Sequence, residues 1–293
     1  MSLLTELSNA VRSVAATVGP SVVSIGRNAR GAGVVVGAGQ VLTNAHNLRD
    51  RTTQVTFADG RAVQATLAGI DVDADLAVLS VDTAAAPPIT WAEVAASAGD
   101  VVFAVALGRS TPRVTMGLVT AIGRPFRGPR GRRIDASIEH AVPLARGSSG
   151  GPLVDVEGRL VGINTHRLRD GFALALPADA HLREQIDRLA RGESPERRRL
   201  GVAVASADVS RRLRRAVGLP ERSGLLVRGV ESGSPADRAG IVEGDLLVAA
   251  GDAALDGTDA LFAALDTSAA TLDLTIVRGT DERVVTVRFD AEQ

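Results

Sequence analysis

Short apolar runs separated by turn residues occupy most of the sequence from Ser21 to Leu176. Examples are SVVSI, GVVVG, QVTF, DLAVLSV, DVVFAVAL and RVTMGLVTAI, with Gly, Asn and Asp between them. Runs of this length, bounded by turn signals, are typical of β-strands. Repeated short strands with turn signals predict a mainly β barrel or sandwich, and the stretch is long enough for two small barrels packed together.

Helical patterns precede and follow the strands. Pro20 ends the first pattern, and Gly192 ends a second one that runs from about Asp179 to Arg191. We expect the first helix to lie on the protein body, because its polar face is not basic enough for a membrane surface. Its apolar face consists of Leu3, Leu4, Leu7, Val11, Val14 and Val18.

The polar stretch GESPERRR is the best candidate for a linker between domains. The residues after it mix strands with two helical patterns, VSRRLRRAVG and TDALFAALDT, which is typical of a small α+β domain. We therefore divide the chain into an N-terminal helix (1–20), a double-barrel domain (21–177), a connecting helix with linker (178–198) and a C-terminal domain (199–293).

The composition argues against several classes of function. The chain has 33 basic and 34 acidic residues and a net charge of −1, which predicts neither nucleic acid nor an anionic membrane as a partner. The Arg-rich segments RPFRGPRGRR, PERRR and RRLRR leave phosphate contacts open, but we favour solvated loops and a solvated helix face. The absence of Cys excludes a thiol nucleophile and thiolate metal sites.

From the sequence as written we expect neither a membrane span nor a signal peptide. A span needs ~20 apolar residues, and no stretch of the chain reaches that length. Glu6 and Arg12 interrupt the first apolar residues, which therefore lack the core of a signal peptide. From the sequence as written we expect a cytoplasmic protein, or a periplasmic or extracellular one if a leader has been removed.

The segment ARGSSGGPLVD carries the strongest chemical signal. Ser149 lies between Gly147 and two further glycines, which allow a tight turn that exposes the hydroxyl. The same turn can direct the N–H groups of Gly147 and Ser149 to one point, as an oxyanion hole requires. A serine hydroxyl needs a base to act as a nucleophile, so a His and an orienting carboxylate should accompany it.

His46 and Asp75 are the candidates for these two roles. His46 follows a β run in VLTNAHN, which places it at the rim of a barrel. Asp71, Asp73 and Asp75 alternate in DVDADLAVL, so we expect them to share one face of a strand. A calcium loop is excluded because its sixth position needs Gly and Leu76 stands there. Asp75 adjoins the apolar run, which favours it as the half-buried orienting carboxylate.

VLTNAH, DLAVL, GSSGGPLV, VGINT and GFALALP together resemble the signature blocks of HtrA/DegP-type trypsin-like serine proteases. The order His46, Asp75, Ser149 is also that of the chymotrypsin fold. The C-terminal segments ERRRLGVAV and GLLVRGVESGSPADRAGIVEGDLLVAAGD resemble a PDZ domain. The resemblance implies a chymotrypsin-like double-barrel protease domain with a PDZ domain, and it implies no cofactor and no metal.

The resemblance also implies a peptide site in the PDZ domain. Leu200, Gly201 and Val202 would present N–H groups to the C-terminal carboxylate of a peptide, which would add as a strand beside residues 202–205. Leu261 and Leu265 would line the pocket for its last side chain. Ordinary core packing is an equally good interpretation of these two leucines.

Three features depart from the family pattern. Ser148 stands where the family usually has Asn, and the segment 136–146 (ASIEHAVPLAR) is longer than expected. The loop RNAR between the first two strands is short, which together with the single PDZ domain favours a homotrimer.

A trypsin-like preference for Lys or Arg would need an acid six residues before the nucleophile. Pro143 stands there, which predicts cleavage after small or medium apolar residues, and Glu139 is the nearest acid.

Two functions follow from this interpretation. The first is a serine endopeptidase that cleaves unfolded or misfolded polypeptides through an acyl-enzyme and is modulated by peptides at its PDZ domain. The second is a catalytically weak or inactive protease-fold scaffold or chaperone that binds peptides through the PDZ domain.

Overall fold

The structure, a computed structural model, describes residues 2–49, 52–108, 111–168, 170–195 and 197–289. The chain forms two compact units, Met1–Pro195 and Glu196–Gln293. Glu196, which belongs to the predicted linker, and residues 290–293 of the predicted C-terminal domain lie outside the described residues. None of the described helices combines the length and the apolar composition that crossing a lipid bilayer requires.

The first unit begins with a helix and a closed six-stranded barrel. The strands follow one another around the barrel in the order β1-β2-β3-β6-β5-β4. The elements are α1 (Leu3–Val18), β1 (Val22–Ile25), β2 (Gly31–Gly37), β3 (Gln40–Thr43), β4 (Thr52–Thr56), β5 (Ala62–Asp71) and β6 (Leu76–Ser80).

A second closed barrel of six strands completes this unit, in the order β11-β14-β13-β12-β7-β8. A small hairpin, β9 with β10, lies outside both barrels. The prediction of a mainly β double barrel is therefore confirmed. The elements are β7 (Val101–Gly108), β8 (Thr111–Ile122), β9 (Phe126–Arg127), β10 (Arg133–Ile134), β11 (Ile138–His140), β12 (Pro152–Val154), β13 (Leu160–Arg167), β14 (Ala173–Pro177) and α2 (Ala180–Ala190).

The core of the first unit explains why its strands have continuous apolar sequences. Val22 and Leu42 belong to a cluster that also contains Phe103 and Leu160 of the second barrel, so this cluster joins the two barrels. The residues next to them along the strands, such as Val23 and Val41, point to a separate apolar cluster inside the first barrel. Strands that are buried on both faces lose the alternation of polar and apolar residues.

Both helices of the unit pack on the core that joins the barrels. α2 begins where Asp179 accepts a hydrogen bond from the Leu182 N–H at 2.8 Å, and its three apolar residues are buried, which confirms the predicted helix. Only the second half of α1 is buried in the same way. Val14 and Val18 are 1% and 2% exposed, whereas Leu4 is 75% exposed.

The second unit is a sheet with helices. The strands follow the order β15-β16-β17-β19-β20, with β18 paired to β17, so β15 lies at an edge. The elements are β15 (Val202–Ala205), α3 (Ala207–Ala216), β16 (Leu225–Val230), α4 (Pro235–Arg238), β17 (Leu246–Ala250), β18 (Ala253–Ala254), α5 (Thr258–Thr267), β19 (Thr271–Arg278) and β20 (Asp281–Arg288). This small unit has its own apolar core.

Candidate active site

The structure brings His46 and Asp75 into direct contact. His46 lies in a short 3-10 helix after β3, and Asp75 precedes β6. Nδ1 of His46 is 2.9 Å from Oδ1 and 2.8 Å from Oδ2 of Asp75, and the His46 backbone N–H donates to Oδ1 at 3.1 Å. An ionised carboxylate only accepts hydrogen bonds, so the imidazole proton lies on Nδ1 and Nε2 is left as an acceptor. The His46 side chain is 39% exposed and the Asp75 side chain 3%, so the imidazole is open to solvent and the carboxylate is not.

Asp73 and Asp75 lie in the turn that follows β5 and not along a strand, so the expectation that the three aspartates of DVDAD share a strand face is wrong. Asp71 is the last residue of β5, and its Oδ1 accepts from the N–H groups of Asp73 and Ala74 at 3.0 and 2.9 Å. This local competition for backbone donors ends the strand. Asp73 forms a buried ion pair with Arg132 at 3.2 Å. Asp75 adopts a left-handed backbone with φ of 58°.

Ser149 lies in the loop of residues 141–151 between β11 and β12, which we call the nucleophile loop. Its hydroxyl donates to the carbonyl oxygen of Thr165 at 3.0 Å. Within the described residues it makes no hydrogen bond to His46. The hydroxyl of Thr165 in turn donates to Oδ2 of Asp75 at 2.7 Å. Ser149, Thr165, Asp75 and His46 therefore form one hydrogen-bonded network across the two barrels.

The backbone of Ser149 is held by the opposite barrel. Its carbonyl oxygen accepts from the Ala32 N–H and from Nδ2 of Asn47, both at 2.8 Å. The same Asn47 amide donates to the Thr43 hydroxyl at 3.0 Å. These bonds come from the first barrel, so they fix the position of the Ser149 backbone relative to the barrel that carries His46.

The glycines around Ser149 are required by close contacts as well as by backbone conformation. Gly147 and Gly150 have φ of 82° and 86°, where side chains are disfavoured. A Cβ atom at Gly147 would lie 2.5 Å from the carbonyl oxygen of Ala29, and one at Gly150 would lie 2.3 Å from that of Ala32. The GSSGG sequence therefore lets the loop approach the first barrel closely.

The two N–H groups that the sequence assigns to an oxyanion hole, those of Gly147 and Ser149, have no acceptor among the described residues. Ser148 N–H donates to the Ala145 carbonyl at 3.3 Å, within the turn. Within the described part of the chain, the N–H groups of Gly147 and Ser149 donate to no acceptor. Buried or half-buried backbone donors normally have partners, so these two are available for a ligand oxygen.

Glu139 is not a free acid in a substrate pocket. It lies on β11, where its carboxylate accepts from the Thr120 hydroxyl at 3.0 Å and forms an ion pair with Arg124. Pro143, six residues before Ser149, is exposed on the nucleophile loop. The described residues thus place no unpaired carboxylate at either position named by the sequence.

His140 lies on β11 and is fully buried. His166 lies on β13. Burial lowers the pKa of His140 from 6.5 to about 4, and contacts with Asn164 and with the Glu139 carboxylate offset only part of this effect. His140 is therefore neutral at neutral pH.

The candidate peptide site lies at the edge strand β15 of the second unit. The carbonyl oxygens of Leu200 and Gly201 accept from the N–H groups of Ala236 and Glu231, at 3.0 and 2.8 Å. Across the described residues, the N–H groups of Leu200 and Gly201 donate to no acceptor. Gly201 has φ of 80°, and a Cβ there would lie 2.2 Å from Cβ of Ser234. The segment thus offers backbone donors beside an open strand edge.

Leu261 and Leu265 lie on α5 as expected, and both are buried. They are 5% and 3% exposed and belong to the core of the second unit together with Leu200. Val202 packs partly against the same core. The structure therefore favours the ordinary core interpretation of the two leucines, and their contact with a peptide stays a prediction.

Sequence reasoning did not assign roles to Thr165, Asn47 or Asn164. Thr165 and Asn164 belong to the block VGINT, which was noted only as part of the resemblance. Asn47 adjoins His46, and its partner Ser149 lies 102 residues away. Sequence spacing alone gives no signal for such distant hydrogen-bond partners.

Two family models match the chain, one in each of its two units. Residues 31–163 match the trypsin-like peptidase domain, and residues 226–278 match the PDZ domain. The first segment contains His46, Asp75 and Ser149, and the second covers the centre of the second unit.

Several curated proteins are similar to this chain. The mitochondrial serine protease HTRA2 of Bos taurus is 30% identical over 253 residues, which cover 81% of this chain and 55% of that protein. A probable periplasmic serine endoprotease, DegP-like, of Brucella suis biovar 1 (strain 1330) is 34% identical over 239 residues, covering 75% and 44%. The chain spans about half the length of the curated relatives it matches.

Solved structures match over nearly the whole chain. The serine endoprotease from Yersinia pestis has a TM-score of 0.62 and 25% identity, covering 95% of this chain and 96% of that one. The HtrA-type protease AlgW with tripeptide has a TM-score of 0.58 and 26% identity, covering 95% and 96%. Fold and site define a trypsin-like peptidase domain followed by a PDZ domain. Within this class, the architecture and the relatives are those of the HtrA-type proteases.

The buried His140 predicts a loss of stability in acid. Its pKa is lower in the folded chain than in the unfolded one, so unfolding takes up a proton between about pH 6.5 and pH 4. The contribution of neutral His140 to the free energy of unfolding is complete above pH 6.5. It falls by on the order of 3 kcal/mol as the pH drops from 6.5 to 4. Urea unfolding at a series of pH values should show a shallower pH dependence for His140→Gln than for wild type. The control His181→Gln, at an exposed position on α2, should keep the wild-type slope. Equal slopes for wild type and both variants would refute this assignment.

Proposed function

We propose that this protein is a serine endopeptidase in which Ser149 is the nucleophile, His46 the general base and Asp75 the group that orients His46. The observation that carries the proposal is the His46–Asp75 contact at 2.8 Å, with the imidazole exposed and the carboxylate buried. This arrangement fixes the tautomer with Nε2 free, which is the form that accepts a proton from a serine hydroxyl. The similarity to named serine proteases agrees with it.

The reaction would begin when the Ser149 hydroxyl exchanges its bond to the Thr165 carbonyl for one to Nε2 of His46. Oγ then attacks the scissile carbonyl carbon while its proton passes to Nε2. The N–H groups of Gly147 and Ser149 would bind the oxygen that becomes negative. His46 next gives the proton to the leaving amine, which breaks the peptide bond and leaves an acyl-enzyme. Water, deprotonated by His46, hydrolyses this ester and restores Ser149.

The second unit would bind the C-terminus of a peptide beside β15. The free N–H groups of Leu200 and Gly201 suit a carboxylate, and the open edge suits an added strand. We propose unfolded or misfolded polypeptides as substrates, because a chain must be extended to enter the active site and to add to a strand edge. The homotrimer stays a prediction of the sequence.

The Ser149–Thr165 hydrogen bond is the observation that favours the second candidate, a scaffold with weak or no catalysis. In this arrangement the nucleophile donates away from its base. Catalytic hydrogen bonds are often loose before substrate binds, so this geometry fits a resting enzyme equally well. Reactivity of Ser149 toward a fluorophosphonate separates the two functions.

Ser149→Ala should abolish peptide hydrolysis and fluorophosphonate labelling. Loss of a triad nucleophile lowers kcat on the order of 10⁶-fold. The hydroxyl makes one hydrogen bond at a half-buried position, so the melting temperature should change little. The matched control is Ser148→Ala, which keeps the backbone of the loop and should be labelled at Ser149. Intact-mass spectrometry measures labelling, and wild type that is never labelled would favour the scaffold.

The enzyme should cleave after small or medium apolar residues such as Val, Ala or Leu. Neither Pro143 nor the paired Glu139 offers a free carboxylate for a basic side chain. Profiling with a peptide library measures the preference. Glu139→Gln should leave it unchanged. A dominant Lys or Arg before the cleaved bond, lost in Glu139→Gln, would overturn the prediction.

A peptide with an apolar C-terminal residue should bind the full chain with a Kd on the order of micromolar. Amidation of the peptide should weaken binding at least about tenfold, because it removes the charge that backbone donors recognise. Calorimetry on the Ser149→Ala chain avoids cleavage. Val202→Glu on the edge strand should abolish binding, whereas Val284→Glu, at a position 65% exposed on β20, should not. Equal affinity of both peptide forms would contradict the carboxylate site.

A further inference from the structure

Two buried polar atoms of the second barrel lack partners and have complementary chemistry. In the described residues, the buried side-chain N and O atoms without a hydrogen bond are Asn44 Oδ1, His140 Nε2 and Asn164 Oδ1. Burying a polar atom without a hydrogen-bond partner is unfavourable, so each of these atoms requires an explanation. The side chains of His140 and Asn164 contact each other. An imidazole nitrogen can donate, whereas the amide oxygen can only accept.

The hydrogen bond at Nδ1 of His140 indicates that the ring proton is on Nε2. Nδ1 accepts a hydrogen bond from the Val142 N–H at 3.3 Å, so Nδ1 carries no proton. The fully buried ring is neutral at neutral pH, which leaves its single proton on Nε2. Val142 is the second residue of the nucleophile loop, so His140 contacts the start of that loop.

Hydrogen bonds also fix the orientation of the Asn164 side-chain amide. Its Nδ2 donates to the carbonyl oxygens of Gly151 and Pro152, both at 3.1 Å, which directs Oδ1 away from them. The backbone of Asn164 adds two bonds, from Gly150 N–H at 2.7 Å and to the Gly151 carbonyl at 2.9 Å. Rotating the amide by half a turn would set Oδ1 against two carbonyl oxygens. Asn164 thus holds the end of the nucleophile loop.

We propose that Nε2–H of His140 donates to Oδ1 of Asn164 and completes a directed chain of hydrogen bonds that ties together both ends of the nucleophile loop. The chain runs from the Val142 N–H through His140 and Asn164 to the carbonyls of Gly151 and Pro152. Every donor in it faces an acceptor, and both orphan atoms gain a partner.

This chain makes His140 a positioning residue for Ser149. It touches neither Ser149 nor His46 in the described structure, but the loop between its two anchors carries Ser149 and the free N–H of Gly147. A displacement of about 1 Å in reacting groups costs on the order of 10²-fold in rate. Only this catalytic consequence rests on the proposed function, because the hydrogen-bond chain itself is a statement about the folded protein.

The first experiment compares His140→Leu, which removes both hydrogen bonds, with His140→Gln, which keeps one donor and one acceptor. His181→Leu is the control for replacing a histidine, at an exposed position on α2. Below the melting transition of each variant, fluorophosphonate labelling of Ser149 should slow about 100-fold in His140→Leu and less than about tenfold in His140→Gln. For peptide hydrolysis, kcat should fall while KM stays close to wild type. Wild-type labelling by folded His140→Leu would overturn the positioning role.

The second experiment does not depend on activity. The ring ¹⁵N shifts of the full chain, labelled at its four histidines, report the tautomer of His140 at neutral pH. The Nε2–H form is expected, and the Nδ1–H form would overturn the chain. Amide hydrogen exchange across residues 141–152 should be faster in His140→Leu than in wild type, and unchanged exchange would also overturn it. If wild type is never labelled at Ser149, the proposed function fails, while these two measurements still decide the hydrogen-bond chain.

Discussion

The backbone carbonyl of Ser149 connects the two barrels at the candidate active site. It accepts hydrogen bonds from Ala32 and from the side chain of Asn47, both in the first barrel, while Ser149 itself belongs to the second. His46 is the neighbour of Asn47, so the same short segment carries the imidazole and holds the backbone of Ser149. The distance between His46 and Ser149 therefore depends on how the barrels pack, and the apolar cluster around Phe103 keeps that packing in place.

The second unit differs from the barrels in one physical respect. Each barrel is closed, so its strands leave no free edge along which another chain could pair. The sheet of the second unit ends at β15, and backbone donors of Leu200 and Gly201 lie beside that end. Closed barrels suit a rigid reaction site, and the open sheet suits the recognition of extended peptides.

The sequence predicted those features that depend on local pattern. The short apolar runs indicated a β barrel or sandwich, the family resemblance implied the double barrel, and the residues at 46, 75 and 149 were proposed from their motifs. Features set by distant partners were missed: Thr165 meets Asp75 across 90 positions, and Asn164 holds a loop that no spacing rule connects to it. The strand-face prediction for Asp71 and Asp73 was wrong because Asp71 bonds to nearby backbone N–H groups and ends the strand. The burial of His140 inside the second barrel was also missed, because a single histidine between Glu139 and Ala141 carries no pattern that marks a buried position.

Asp75 takes a left-handed backbone conformation with φ of 58°, which Gly and Asn adopt at least as readily. Its carboxylate is also held away from water, at 3% exposure. The backbone conformation raises the free energy of the folded chain by about 1–3 kcal/mol, whereas burial of the carboxylate is offset by hydrogen bonds from His46 and Thr165. The residue that contacts His46 is therefore not the residue whose backbone suits this turn best. Selection for thermal stability without selection for turnover would favour early replacement of Asp75. A thermostabilised descendant of this chain would then be expected to lose its proposed activity through a substitution at this turn first.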